Sequence, residues 1–284
     1  MAGKIKAIKL KVLEWAKETY RYKEDYIAPE APLSIALQWL DANNTSKLES
    51  FAITMRTPGH DFELVTGLLY AEGIINLPKD IAQIQYSTNE ISFEKPSSVI
   101  VKLRKGLEPN PDNFQRNQTM SSACGICGKK YLDSLDSLCP YILKADQPQW
   151  HSNILGRLPS SLTNVQDHFE STGGMHAAAL FDRNGDIVLM REDIGRHNAV
   201  DKVIGAALTS VNLPFADYGL LLSGRAGFEL VQKALFAGIP LVASIGAASS
   251  MAVHLSSEHG QSLIGFLKED RMVVYCGENR VILS

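Results

Sequence analysis

YGLLLSGRAGFELVQKALFAGIPLVASIGAASSMAVHLSSE, residues 218–258, is the stretch that decides the fold class. Tyr218–Ser223 is an apolar run that reads as a strand. Ala226–Ala237 reads as a helix, Pro240–Ser244 as a second strand and Ser250–Glu258 as a second helix. Strand alternating with helix predicts an α/β fold, a mixed sheet with flanking helices. Upstream, Ala177–Asp182 and Ile187–Arg191 flank Arg-Asn-Gly-Asp, a hairpin signal, and His197–Thr209 is helical. Downstream, Leu263–Leu267 and Met272–Cys276 close the chain as strands.

The first 120 residues read differently. Leu33–Leu40 and Phe51–Arg56 are strands around an Asp-Ala-Asn-Asn turn, and 81–87, 90–94 and 98–104 are short strands of a meander. Between them, Thr57 as N-cap and Pro58 in the first turn start a helix over about 59–72, which Gly73 stops. A short helix is expected near 129–138. The division that follows is a smaller β-rich N-terminal lobe over 1–120, a connector with a cysteine loop over 121–150, and an α/β domain over 151–284.

The bulk numbers set limits. The chain has 284 residues, 45% hydrophobic and 21% charged, with a net charge of −3. That balance gives no general attraction to nucleic acid, and no run approaches the roughly 18 apolar residues that span a membrane. Met1–Lys17 is amphipathic and lysine-rich, without the features of a secretory signal. Four cysteines are too sparse for a disulfide scaffold, so a cytoplasmic protein with reduced thiols is expected. Cys139 and Cys276 read as buried small hydrophobes.

Chemistry concentrates first in Ser121-Ser-Ala-Cys124-Gly-Ile-Cys127-Gly128. Two sulfurs two residues apart can form a redox pair or half of a metal site, and Lys129 and Lys130 favour a thiolate. A structural zinc needs two more ligands, and neither a second C-x-x-C nor an H-x-x-x-H is present. His60-Asp-Phe-Glu63 has the wrong spacing for a zinc deaminase, and Ala123 stands where that motif has proline. No metal is therefore expected. Residues 109–128, rich in Asn, Gln, Pro, Ser and Gly, are expected to be mobile without a ligand.

Other clusters suit a polar ligand. Arg191-Glu-Asp-Ile-Gly-Arg196-His197-Asn198, with Asp201 and Lys202, joins a strand to a helix. Ser223, Gly224 and Arg225 lie between a strand and a helix, where free N–H groups and a guanidinium can hold an anion. Ser244–Ser250 repeats that junction, and the pair suggests a pyrophosphate-like group, although neither matches a standard nucleotide motif. His60 and Glu63, one helical turn apart, and His176 after Gly173-Gly174 are further candidates.

Taken together, the chain resembles one family, the formate dehydrogenase accessory proteins, or FdhD sulfurtransferases. The resemblance covers about residues 30–280 and rests on Arg56-Thr-Pro-Gly-His-Asp-Phe-Glu-Leu64, Gly67-Leu-Leu-Tyr-Ala-Glu-Gly-Ile74, Ser122–Gly128, Thr172-Gly-Gly-Met-His-Ala-Ala178, Arg191–Lys202, Ser223-Gly-Arg225 and Leu263–Arg271. It implies a fold similar to cytidine deaminases, without their zinc. It implies that sulfur passes as a persulfide from a cysteine desulfurase to the molybdenum or tungsten bis-(molybdopterin guanine dinucleotide) cofactor of formate dehydrogenase. Cys124 would hold the persulfide, with Cys127 beside it. Phe266, Leu267, Lys268, Glu269, Asp270 and Arg271 would contact the cofactor. Ser223, Gly224, Arg225, Arg196 and His197 can supply contacts to its pyrophosphates, or to GDP-like nucleotides. Two nucleotide arms suit a homodimer. A thiol–disulfide oxidoreductase and a non-catalytic cofactor chaperone are the alternatives.

Overall fold

A computed structural model describes residues 7–87, 97–110, 139–144, 146–166 and 172–283. The expected strand over 90–94 and helix over 129–138 lie outside them. The chain opens on an antiparallel hairpin, β1 (Ile8–Ala16) and β2 (Thr19–Ile27). The sequence reading had only an amphipathic stretch here. The hairpin keeps Trp15, Tyr20 and Tyr22 exposed.

Next come β3 (Ala31–Leu40) and β4 (Ser46–Arg56), the predicted pair, followed by α1 (Asp61–Ala71), β5 (Ile81–Tyr86) and β6 (Ser97–Leu103). The four strands form one sheet in the order β4-β3-β6-β5. Alternation along β3 turns Ala31, Leu33, Ile35, Leu37 and Trp39 inward, where they share a core with Val99, Val101 and Leu103. The start of α1 differs from expectation. His60, not Thr57, is the N-cap, with φ 56°, and Gly59 at φ 107° makes the bend before it. Thr57 is drawn away by bonds to a later strand end, described below. The end of α1 is as expected. Gly73 at φ 67° donates to the Tyr70 carbonyl and Ile74 to that of Leu69, a Schellman closure.

The remaining elements are β7 (Trp150–His151), α2 (Ser152–Thr163), β8 (His176–Phe181), β9 (Ile187–Asp193), α3 (Arg196–Ser210), β10 (Gly219–Leu222), α4 (Phe228–Phe236), β11 (Leu241–Ser244), α5 (Ser250–Glu258), β12 (Ser262–Lys268), β13 (Arg271–Cys276) and β14 (Val281–Ile282). Six of these strands make a mixed sheet in the order β9-β8-β10-β11-β12-β13, with β10, β11 and β12 parallel. β14 pairs with β7 apart from it. Every residue of β10 and β11 is buried, as expected of strands covered on both faces. On one face Leu220, Leu222, Val242 and Leu263 meet α3, α4 and α5. On the other, Leu221, Leu241, Ala243 and Ile264 meet Trp150 and the Leu155, Leu158 and Leu162 of α2. Cys139 and Cys276 are half-buried against the first cluster. Among the described residues no helix is long and apolar enough to cross a membrane.

The two sheets are joined through α1 and α3, which cross at glycines. A Cβ on Gly67 would stand 1.9 Å from the Asp201 carbonyl oxygen, and one on Gly205 would stand 1.9 Å from that of Glu63. The helices touch backbone to backbone. Gly67→Ala or Gly205→Ala must push them apart, and overpacking of this kind costs about 3 kcal/mol or more. We expect either variant to melt at least about 5 °C lower than wild type. Gly73→Ala, with nothing within 4 Å of its Cβ, should lose only the backbone strain, about 1 kcal/mol. Equal melting of all three proteins would show that the crossing tolerates a side chain.

Candidate functional site

The carboxyl ends of β10, β11 and β12 lie beside the start of β8 and the end of β9, so five loops meet at one end of the sheet. Open α/β sheets bind ligands at this end. The loops are stitched together by backbone. The Ser223 amide donates to the Ala177 carbonyl at 3.0 Å, and the Ala177 amide donates to Ser223 Oγ at 2.8 Å. Gly246 donates to the Gly224 carbonyl, and Phe266 to that of Gly246. Ala226 and Ala248 form a parallel bridge. The glycines are needed here: a Cβ on Gly246 would come within 2.8 Å of the Gly224 oxygen. The two junctions, paired in the sequence reading, form a single layer that leads into the N-termini of α4 and α5.

Phe266 has φ 50°, a conformation that is costly for a bulky residue. A register irregularity between β12 and β13 accompanies it. The consequence is an aromatic ring left 38% exposed, with the Arg271 guanidinium 5.4 Å from its centroid. Lys268, Glu269, Asp270 and Arg271 are exposed around the turn that follows. Leu267 is not with them. It is fully buried in the cluster under α2, so its side chain has no surface to offer a ligand.

Of the polar residues from the end of β9 into α3, Arg191, Asp193, Asp201 and Lys202 are engaged in internal bonds. Asp193 is completely buried. Its Oδ2 accepts from Lys202 Nζ at 2.7 Å and the Thr57 amide at 3.1 Å, and its Oδ1 accepts from the Gly195 amide and Asn198. Lys202 also donates to the Thr57 and Glu192 carbonyls. Thr57 Oγ1 accepts from the Ile194 amide, which explains why Thr57 does not cap α1. Arg191 reaches Glu63 with two bonds, at 2.5 and 2.8 Å, and His60 Nδ1 lies 2.9 Å from the same carboxylate. Burial disfavours the Glu63 anion, but the Arg191 guanidinium and His60 outweigh it and hold its pKa at about 2. Asp201 is paired with Lys233 of α4 at 2.6 Å.

Arg196, His197, Arg225 and His176 remain accessible at the sheet end. His176 lies against Gly224, whose Cβ would sit 3.1 Å from its Nδ1. Burial, then the charges of Arg196 and His197, pushes its pKa down, favouring a neutral ring. His197 Nε2 lies 2.9 Å from Glu229 Oε2. Glu229 was not singled out from sequence, because an acid in a first helical turn reads as ordinary helix chemistry. The structure thus brings Ser223, Gly224, Arg225, Arg196, His197 and Phe266 to one end. Cys124 and Cys127, and the expected mobility of 109–128 over residues 111–128, lie outside the described residues.

Comparison with known proteins matches the chain over most of its length. The model of the FdhD/NarQ family matches residues 28–282. A protein named sulfur carrier protein FdhD from Streptomyces coelicolor is 42% identical over 265 residues, covering 92% of this chain and 90% of its own. One of the same name from Sulfurisphaera tokodaii is 38% identical over 274 residues, covering 96% and 98%. Among solved structures, a putative formate dehydrogenase accessory protein from Desulfotalea psychrophila matches 97% of this chain and 99% of its own, with TM-score 0.69 at 20% identity, which shows the shared fold. A guanine deaminase from Nitrosomonas europaea reaches a TM-score of 0.33 over 53% of this chain. That score carries no argument for a deaminase-like fold.

Glu63 supplies a pH test of the geometry. Its carboxyl is more acidic folded than unfolded, so the stability it adds is present above about pH 4.5 and is lost as pH falls toward 2. Glu63→Gln should be less stable than wild type near neutral pH, and the two should converge as pH falls from 4.5 toward 2. A margin that stays constant down to pH 2.5 would mean that the Arg191–Glu63 pair does not form in solution.

Proposed function

The chain belongs to the FdhD/NarQ family, and from that premise we propose that it is a sulfur carrier serving formate dehydrogenase. Its relatives bear the sulfur-carrier name over most of their length. In this reading the Cys124 thiolate attacks the outer sulfur of a cysteine desulfurase persulfide. The donor's S–S bond breaks, its thiolate leaves, and Cys124 keeps the sulfane sulfur. Cys127 as a resolving thiol would then displace that sulfur as hydrosulfide, and the two cysteines would close to a disulfide, which balances the electrons. The acceptor is the molybdenum or tungsten bis-(molybdopterin guanine dinucleotide) cofactor, bound as substrate.

The observation that carries the acceptor half is the meeting of Ser223–Gly227, Ile245–Ser249 and Phe266 at one sheet end. Helix starts, close-approach glycines, the half-buried Arg196 and the exposed Arg225 suit pyrophosphate. Phe266 and Arg271 suit a flat ring system. The same reading takes 151–284 as the cofactor-binding part, 1–120 as the β-rich lobe, 121–150 as the connector carrying the cysteines, a fold like that of cytidine deaminases without their zinc, a homodimer as the working unit and the cytoplasm as its place.

Two experiments test it. Incubation with a cysteine desulfurase and cysteine should add one sulfur to Cys124, read by peptide mass spectrometry. Cys124→Ser should melt normally, gain nothing and fail to activate formate dehydrogenase; full activity in that variant would remove the persulfide role. A disulfide without added sulfur would favour an oxidoreductase instead. For the acceptor half, Arg225→Ala should weaken GDP binding about tenfold or more, the worth of a charge-assisted contact. Unchanged affinity by calorimetry would make Arg225 a bystander.

A further inference from the structure

The N-terminal hairpin contributes to neither hydrophobic core, and it precedes the family match, which begins at residue 28. Its register pairs Leu13 with Tyr22 and Trp15 with Tyr20, which places all four side chains on one face. Trp15 is 72% exposed and Tyr20 is 73% exposed, and more than half of Tyr22 and of Leu13 is open to solvent. The turn at the tip holds Lys17 at φ 49° and Glu18 at φ 63°, without the Asn-Gly pair that suits such a turn. A two-stranded hairpin is marginal in water by itself. A contiguous aromatic face of this kind marks an interaction surface.

A second apolar patch lies on the four-stranded sheet. Leu48, Ile53 and Met55 of β4 point away from the core that α1 covers, and Ala36 of β3 and Ile100 of β6 share that outer face. Ile53 is 72% exposed. A solvated sheet face ordinarily carries polar residues. Met55 pairs with Pro32 and Ile53 with Ser34, so the patch starts at the root of the hairpin. Residues 28–30 alone separate β2 from β3, and the buried Pro29 among them fixes the direction of the hairpin. Within one chain the hairpin leaves the patch open.

We propose that the hairpin is an arm exchanged between two copies of this chain. Two arms running antiparallel about a twofold axis bring each tip to the root of the other. Trp15 and Tyr20 of one copy then cover the Ile53 and Met55 face of its partner, and the reverse contact is identical. An aromatic side chain presents about 150–250 Å², so the exposed parts of one arm face and one sheet patch bury roughly 700 Å² together. One such contact is no larger than a casual encounter. Two of them bury about 1,400 Å², within the range of specific, stable interfaces. The exchange therefore has to be reciprocal. It supplies a surface for the homodimer proposed above and does not depend on the sulfur chemistry.

Sedimentation velocity over a dilution series of the full chain tests the arrangement. Wild type should be a dimer that dissociates on dilution. Trp39 and Trp150 are buried, so dissociation should shift the emission of Trp15 to the red. Trp15→Ser/Tyr20→Ser and Ile53→Lys change exposed positions and should keep the wild-type circular dichroism. Each should weaken dimerisation about thirtyfold or more, as loss of an interface anchor does. Mixing the two variants restores one intact contact, between the arm of the Ile53→Lys chain and the sheet of the arm variant. The mixture should therefore hold more dimer than either variant alone. A dimer that either variant leaves unchanged overturns the exchange, as does a mixture no better than its parts. Dissociation without a change in Trp15 emission does the same. Each of those results leaves a homodimer standing. A wild type that stays monomeric overturns the exchange and the homodimer together, and leaves the sulfur-carrier reading intact.

Discussion

The contact between Gly67 and Gly205 sets the distance at which the two halves of the molecule meet. Both glycines lie against a carbonyl oxygen of the opposite helix. No other residue type allows that approach, because a Cβ would overlap the oxygen. The close crossing lets α3 lie between the six-stranded sheet and α1, with residues 198–208 buried along its length. It also brings the chain around Thr57 within reach of the end of β9. Every polar contact between the halves described above depends on this separation.

Burial at that depth then dictates how charge is handled. Asp193, Lys202, Asp201 and Lys233 are taken out of water, and so are Arg56 and Asp61. Each has an opposite charge within 3 Å, and Arg56 meets Asp61 with two parallel bonds while donating to the Ala31 carbonyl. Such pairs add little net stability relative to apolar residues of the same size, but removing one partner is costly. Their effect is positional. Asp193 ties together residue 57, the start of α3 and the end of β9, and so orients the loop that displays Arg196 and His197.

At the sheet end the same economy of space operates on backbone. The Gly224, Gly246 and Phe266 strand ends are linked in series by amide-to-carbonyl bonds. The left-handed backbone at Phe266 keeps Leu267 in the core and turns the ring outward. A strained residue held by neighbouring bonds is typical of a surface built to meet a ligand. The charges around it are not uniform, with Arg196, His197 and Arg225 on one side and Glu229 at the start of α4.

Local pattern determined much of this protein. The alternation along β3, the buried strands at 219–222 and 241–244, the helix at 250–258 and the glycine stop at 73 were all readable, because each follows from side-chain period or backbone freedom within a few residues. The tertiary structure alone decided the rest. The hairpin at 8–27 escaped notice because lysines alternate with apolar residues in a stretch with no core to face. Thr57 looked like a cap, and lost that role to an aspartate 136 residues away. Arg191, Asp193 and Lys202 looked like ligand contacts and became internal ties, while Glu229, unremarked in sequence, pairs with His197. Whether a charged side chain faces water, a partner or a ligand depends on what is packed against it, and that is set by contacts between residues far apart in sequence.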